Sequence, residues 1–169
     1  MISLISILTI NHVIGRKNII PWYFSIDMNW FKYHTTNKPI IMGRKTFESI
    51  GKKSLSNRIN IVLSNRLSNN NNEFNNVIFV DDPNKVLSLS LVNKSKEIMV
   101  IGGSALYKIF FPKCTRMYLT YINTVYNYGD KWFPSYKKGD WKVICDIYKT
   151  CKSSCNKTMY TLNFKIFDR

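Results

Sequence analysis

Runs of apolar, β-branched residues recur along this chain, and stretches with helical spacing lie between them. Ile2 to Ile10, Pro39 to Met42, Ile59 to Leu63, Val77 to Val80 and Ile98 to Ile101 each read as a buried strand. Amphipathic stretches near 25–35, 44–50, 83–91 and 104–111 follow or separate them. Parallel strands need long crossovers, which helices supply, so this alternation implies an α/β fold with a mostly parallel central sheet and flanking helices. The tail changes character. Met117 to Ile122, Trp141 to Lys149 and Thr158 to Phe167 read as strands with no helix between the last two, which places an antiparallel C-terminal hairpin at the sheet edge. Asp81 and Asp82 ahead of Pro83 read as a helix-capping turn. The polar, Asn-rich stretch from Asn65 to Asn76 reads as a surface connection within one domain spanning 1–169.

Charge narrows the partners. The chain carries 25 Lys plus Arg against 10 Asp plus Glu, a net charge of +15. The lysines are scattered and form no basic run, so the charge reads as a solvated surface in a chain rich in Asn, Ile and Lys, not as a nucleic-acid or membrane patch. A small anionic ligand gains from such a field in either case. No secretory signal or spanning segment precedes the four cysteines, all in the last third, which points to reduced thiols in the cytoplasm. Cys151 and Cys155 have no histidine or second cysteine pair to complete a metal site, and none is expected.

Before Glu48 the chain has a single acid, Asp27. With Phe24, Met28 and Phe31 it falls at i, i+3, i+4 and i+7 on a face that is otherwise apolar. An unpaired carboxylate there is costly, so Asp27 is expected to await a cationic or donor-rich ligand and to have a raised pKa. Two glycine turns follow predicted strands: Gly43 with Arg44, Lys45 and Thr46, and Gly102-Gly103 opening the helix from Ser104. A third glycine, Gly15, lies beside Arg16 and Lys17 after the first strand. Glycine lets a phosphate approach the backbone, and ligands of open α/β sheets bind beyond the carboxyl ends of strands. The GxGxxG and GxxxxGK[ST] fingerprints are absent. His12 and His34 are the only histidines, and no GxSxG elbow is present. One acid and two phosphate-type turns suit a reaction whose hard chemistry a cofactor carries.

Several segments fall together in order: MISLI at the start, Val13-Ile14-Gly15, Pro21-Trp22, Asp27, Trp30-Phe31-Lys32, Asn37-Lys38-Pro39 and IMGRKTFESIG at 41–51. EIMVIGG at 97–103, Tyr107, Leu119-Thr120, Gly129-Asp130 and Phe133-Pro134 continue the series. On these residues the chain resembles bacterial dihydrofolate reductase, collinearly to about Pro134 and more thinly after Trp141. The resemblance implies hydride transfer from NADPH to 7,8-dihydrofolate by a cytoplasmic monomer that uses neither nucleic acid nor membrane. It makes Asp27 the pterin's carboxylate partner, held by Thr120, with a proton route past Trp22 and the lid tip Ile20. Ile5, Ile7, Met28, Phe31 and Ile50 would wall the substrate, with Leu55 beneath the benzoyl ring. Arg58 would clamp the glutamate carboxylate, with Lys32 and Lys52 near the same tail.

For NADPH the resemblance implies Gly43, Arg44, Lys45 and Thr46, with Arg44 at the 2′-phosphate, and Gly102, Gly103, Ser104, Ala105, Leu106 and Tyr107, with a cis Gly102–Gly103 peptide. Ser64 and Asn65 would meet the adenosine end. Ile7, Ile14, Gly15, Asn18, Ile19 and Ile20 would face the cofactor from the first strand and a lid spanning Asn11 to Tyr23, braced by the loop of Asp130. The chain departs from the family at three places. The turn Lys52 to Asn57 lacks proline and is one residue longer than in close relatives; Ala105 stands where they carry an arginine, which Arg66 could replace; and Ser25, a good helix cap, replaces a common proline. A pyrimidine reductase of riboflavin synthesis would share fold and cofactor but would need neither Asp27 nor Arg58. A basic nucleic-acid binder would place its aromatics on the surface, whereas these sit at core spacings. A degenerate reductase that only binds folate is the third alternative.

Overall fold

The structure, a computed structural model, describes residues 1–65, 76–89, 92 and 94–169. The elements run β1 (Ile2–Thr9), β2 (Val13–Gly15), α1 (Ser25–Thr35), β3 (Pro39–Gly43), α2 (Arg44–Ser49), β4 (Ile59–Leu63) and β5 (Val77–Val80). They continue with α3 (Pro83–Ser88), β6 (Ile98–Gly102), α4 (Ser104–Phe110), β7 (Arg116–Ile122), β8 (Lys131–Trp132), β9 (Lys142–Lys152) and β10 (Met159–Asp168). One eight-stranded sheet has the order β5-β4-β3-β6-β1-β7-β10-β9. Its first six strands are mutually parallel, and β10 and β9 run antiparallel at the edge, as the sequence pattern implies. The short strands β2 and β8 pair separately. Residues 66–75, and with them Arg66, lie outside the described part, as do residues 90 and 91 of the third amphipathic stretch.

β1 sits at the centre because it carries no charge between Ile2 and Thr9 and can be buried on both faces. Its alternate side chains feed different cores. Leu4 and Leu8 join Val86, Leu106 and Phe110 on the face covered by α3 and α4. Ile5 joins Met42, Phe47 and Val62 on the other, where Trp30 and Phe31 of α1 and Ile50 after α2 pack. A third cluster around Phe24, Ile122, Leu162 and Phe164 extends this second face toward the antiparallel edge.

Helix α1 differs from its sequence reading at its start. Its N-cap is Phe24, not Ser25, and no side-chain cap is present among the described residues, so Ser25 begins the helix instead of capping it. The stripe of Phe24, Asp27, Met28 and Phe31 is divided: Phe24 is fully buried, Phe31 packs on the second core, and Met28 is 43% exposed. The helix packs also through Trp30, whose ring lies 5.2 Å from that of Phe164, and His34, 4.4 Å from Tyr118. The expected cap at α3 is present, with Asp82 accepting from the Asn84 amide at 2.7 Å and Pro83 in the first turn.

Glu97 lies behind α1 at the entrance to β6. Its carboxylate accepts from Ser3 Oγ at 2.6 Å, Tyr118 Oη at 2.9 Å and Lys38 Nζ at 2.5 Å, joining β1, β7 and the start of β3. Burial alone would raise its pKa, but the three donors outweigh that and hold it below the usual carboxylate range. Burial first, and Lys38 next, push His34 down to about 4, so it packs as a neutral ring. A carboxylate with a depressed folded pKa stabilises the fold above its unfolded pKa and loses that contribution as pH falls through the folded value. Glu97→Ala is expected to lower unfolding free energy by about 2–4 kcal/mol at neutral pH, because three donors lose their acceptor. The deficit should shrink in acid, as urea titrations at neutral pH and near pH 3 would show.

Candidate active site

The carboxyl ends of β1, β3, β6 and β7 face the same edge of the sheet, and the predicted site residues gather there. Thr120 of β7 lies opposite Ile7 of β1 in register. Asp27 of α1 reaches the hydroxyl of Thr120 from above. Burial raises the Asp27 pKa to about 6, and the hydrogen bond to Thr120 offsets only part of that effect. Ile5, Phe31, Ile50 and Leu55 pack on one cluster beside it, while Ile7 and Trp22 belong to the cluster around Phe24. Trp22 Nε1 is buried and has no hydrogen-bond partner among the described residues. Met28 stands more exposed at the rim.

Arg58 is built from below by residues that sequence reasoning missed. Asn60, 1% exposed within β4, accepts from the Leu55 amide at 2.8 Å and donates to the carbonyls of Leu55 and Arg58 at 2.9 and 3.0 Å. It thereby staples the turn from Lys52 to Asn57 and holds Leu55 and Arg58, both predicted contact residues. Thr35, fully buried, donates to Phe31 O at 2.7 Å and accepts from Arg58 Nε at 3.0 Å. Arg58 also lies over the Phe31 ring, 5.7 Å from its centroid, and burial lowers its pKa. Lys32 and Lys52 are exposed and make no ion pair among the described residues.

On the other side, the two glycine turns meet. A Cβ on Gly43 would lie 3.8 Å from both Gly102 O and Gly103 N, and one on Gly103 would lie 3.4 Å from Thr46 Oγ1. The Gly102–Gly103 peptide is cis. Gly102 has φ +116°, and a Cβ there would lie 3.1 Å from the Tyr107 hydroxyl, so glycine is required. The result is a bare backbone cradle flanked by Arg44 and Lys45, which suits a phosphate-bearing cofactor. Arg44 Nη1 is paired with Glu48 Oε1 at 2.5 Å. Leu106 and Tyr107 turn their side chains into the core, with Tyr107 Oη donating to Ile5 O at 2.6 Å. Ser104 is half-buried, Ala105 and Asn65 are exposed, and Ser64, buried, donates its amide to Val80 O at 2.8 Å.

The segment after β1 forms a small hairpin over the edge. Ile14 and Gly15 lie in β2, paired with β8. Arg16 and Ile19 exchange backbone hydrogen bonds of 2.9 Å in each direction around Lys17 and Asn18, both at positive φ, the geometry of a type I′ turn. Asp130 braces it, donating its amide to Gly15 O at 3.1 Å and accepting the Lys17 amide at 3.0 Å. Ile19 and Ile20 stand exposed at its end, 66% and 55% accessible. Tyr23 O accepts from Ser154 N at 3.1 Å, a link to the C-terminal hairpin that no sequence signal announced.

The family model described as dihydrofolate reductase matches residues 1–169. A dihydrofolate reductase of Haemophilus influenzae is 41% identical over 167 residues, covering 99% of this chain and 98% of that one. The Salmonella typhimurium type 3 dihydrofolate reductase is 36% identical, covering 100% and 98%. Among solved structures, dihydrofolate reductase from Enterococcus faecalis complexed with NADP(H) and RAB-propyl superposes with a TM-score of 0.84 at 26% identity, covering 100% of this chain and 96% of that one. Fold, site and sequence agree, and the chain belongs to the dihydrofolate reductase family.

Proposed function

We infer that this chain reduces 7,8-dihydrofolate to 5,6,7,8-tetrahydrofolate with NADPH, feeding one-carbon metabolism and nucleotide synthesis, as a cytoplasmic monomer. The observation that carries this reading is Asp27, a carboxyl held by Thr120 and pushed by burial up to about 6, on a helix whose Trp30 and Phe31 pack on the apolar cluster of Ile5 and Met42. NADPH, when bound in the glycine cradle, supplies the hydride.

The protein's own groups do the rest. Asp27 accepts hydrogen bonds from the pterin's amino group and ring N–H, and its raised pKa keeps a proton available near neutral pH. Trp22 Nε1, a buried donor without a partner among the described residues, would hold a water on the proton's route to the pterin. Ile5, Ile7, Met28, Phe31 and Ile50 wall the ring, and Leu55 lies under the benzoyl group. Arg58 presents its guanidinium to the glutamate carboxylate, a planar recognition that lysine performs less well. Ile20 and the hairpin beneath it close over the cleft and exclude water.

Folded wild-type protein is expected to oxidise NADPH in the presence of dihydrofolate, followed by loss of NADPH absorbance; absence of turnover would overturn the assignment. Asp27→Asn should lose most turnover at neutral pH and regain part of it in acid, where the substrate takes its proton from solvent. Its effect on stability has the opposite sign. Asp27 is protonated in both states below its ordinary value of 3.8, ionises only in the unfolded chain between there and about 6, and is ionised in both above. The wild type therefore carries a penalty of about 2–3 kcal/mol above pH 6 that disappears below pH 4. Asp27→Asn should be the more stable protein at pH 7 and lose that advantage in acid, measured by denaturant unfolding.

Thr35→Val preserves shape and removes the acceptor for Arg58 Nε. It should raise KM for dihydrofolate by about five- to thirtyfold, equivalent to ~1–2 kcal/mol, with kcat nearly unchanged. A dihydropteroate substrate, which lacks the glutamate, should show no difference between the two proteins.

A further inference from the structure

We infer that Glu48 sets the affinity and selectivity of this chain for NADPH by competing with the cofactor's 2′-phosphate for Arg44. The inference rests on the reading above that Arg44 meets that phosphate. Arg44 opens α2 and Glu48 lies one turn on, with Nη1 and Oε1 2.5 Å apart. Their side chains are 29% and 37% accessible, so the pair is held by charge and not locked by packing. Glu48 and Asp27 are the only acids in the first 65 residues, which makes a carboxylate beside the proposed phosphate position conspicuous. Ala105, at the start of α4, offers a methyl group and no charge, which leaves exposed Lys45 as the other cation flanking the cradle.

A 2′-phosphate near Arg44 has two ways to bind. Arg44 can leave Glu48, which forfeits the ion pair, or it can serve both anions, which brings a carboxylate against a phosphate of nearly two negative charges. Each route subtracts from NADPH binding. NADH has no 2′-phosphate and does not incur either cost. Glu48 thus acts as a counterweight that narrows the preference for NADPH and speeds release of the oxidised cofactor. Without Glu48, the guanidinium would have all its donors free for the phosphate.

The test is direct binding by calorimetry, with NADPH and NADH as probes and no folate present, on wild type, Glu48→Gln and Arg44→Gln. An i, i+4 pair this exposed contributes little to folding, so both variants should fold. Glu48→Gln should tighten NADPH by about three- to tenfold and leave NADH unchanged, with the gain shrinking as salt rises. Arg44→Gln should weaken NADPH and leave NADH unchanged. If Arg44→Gln lowers the NADPH preference but Glu48→Gln fails to raise it, Glu48 is a strut that positions Arg44 and the inference is wrong while the assignment of Arg44 stands. If Arg44→Gln leaves the preference unchanged, the assignment of Arg44 itself fails, and the inference falls with it.

Discussion

The packing of Trp30 and His34 against Phe164 and Tyr118 fixes helix α1 over β7 and β10, and much of the site follows from that placement. The same helix turns Asp27 toward Thr120, offers Phe31 to the cleft, and ends at Thr35, the acceptor for Arg58. Asp27 and Arg58 are therefore referenced to one rigid element. An acid on a loop would share neither that precision nor that link to Arg58. Glu97 and its donors sit behind the helix and tie β1, β7 and the strand that follows α1 into one polar cluster. Neutral His34 packs against this cluster through Tyr118 and leaves no charge for the core to accommodate.

Asp27 and Glu97 show how the same residue type takes opposite roles. Each carboxylate is largely withdrawn from water. Glu97 receives three donors from the protein and has a depressed pKa, so its charge belongs to the folded state. Among the described residues Asp27 receives Thr120 alone and has a raised pKa, so its charge is poorly satisfied by the protein. Under the proposed function a pterin supplies the missing donors. A carboxylate fully satisfied by its own chain would stabilise the fold and have less to offer a ligand.

The architecture was legible because strand and helix periods differ and because parallel strands demand crossovers. The bounds of β4 and β5 and the extent of α1 follow directly from those periods. Asp27 was legible as a solitary acid with apolar neighbours, and burial raises its pKa as that setting implies. The strands β2 and β8, of three and two residues, are too short to show a period, and a type I′ turn built on Lys17 and Asn18 lacks the usual Asn-Gly signal. Asn60 and Thr35 were hidden for another reason. Each is an ordinary polar residue within a regular element, and its role depends on a partner that only the fold brings near. The absence of a side-chain cap at Phe24 shows the converse, since Ser25 had the right chemistry one position too late.

The scarcity of acids gives the charge of this chain a more specific meaning than a basic surface. A chain at +15 repels itself, and every remaining acid relieves some of that repulsion wherever it lies. Solvation alone would leave the acids scattered among the lysines, yet several of the described ones have defined tasks. Asp82 caps α3, Asp130 braces the hairpin that follows β2, Asp168 grips Arg116 across β7 and β10 with contacts of 2.5 and 2.7 Å, and Glu97 organises the cluster behind α1. Against that pattern, Asp27 and Glu48 differ because each faces a proposed ligand position, Asp27 the pterin and Glu48 the phosphate. An acid near an anion-binding cleft opposes the protein's own field. The electrostatic argument that makes Asp27 a site residue therefore applies with equal force to Glu48.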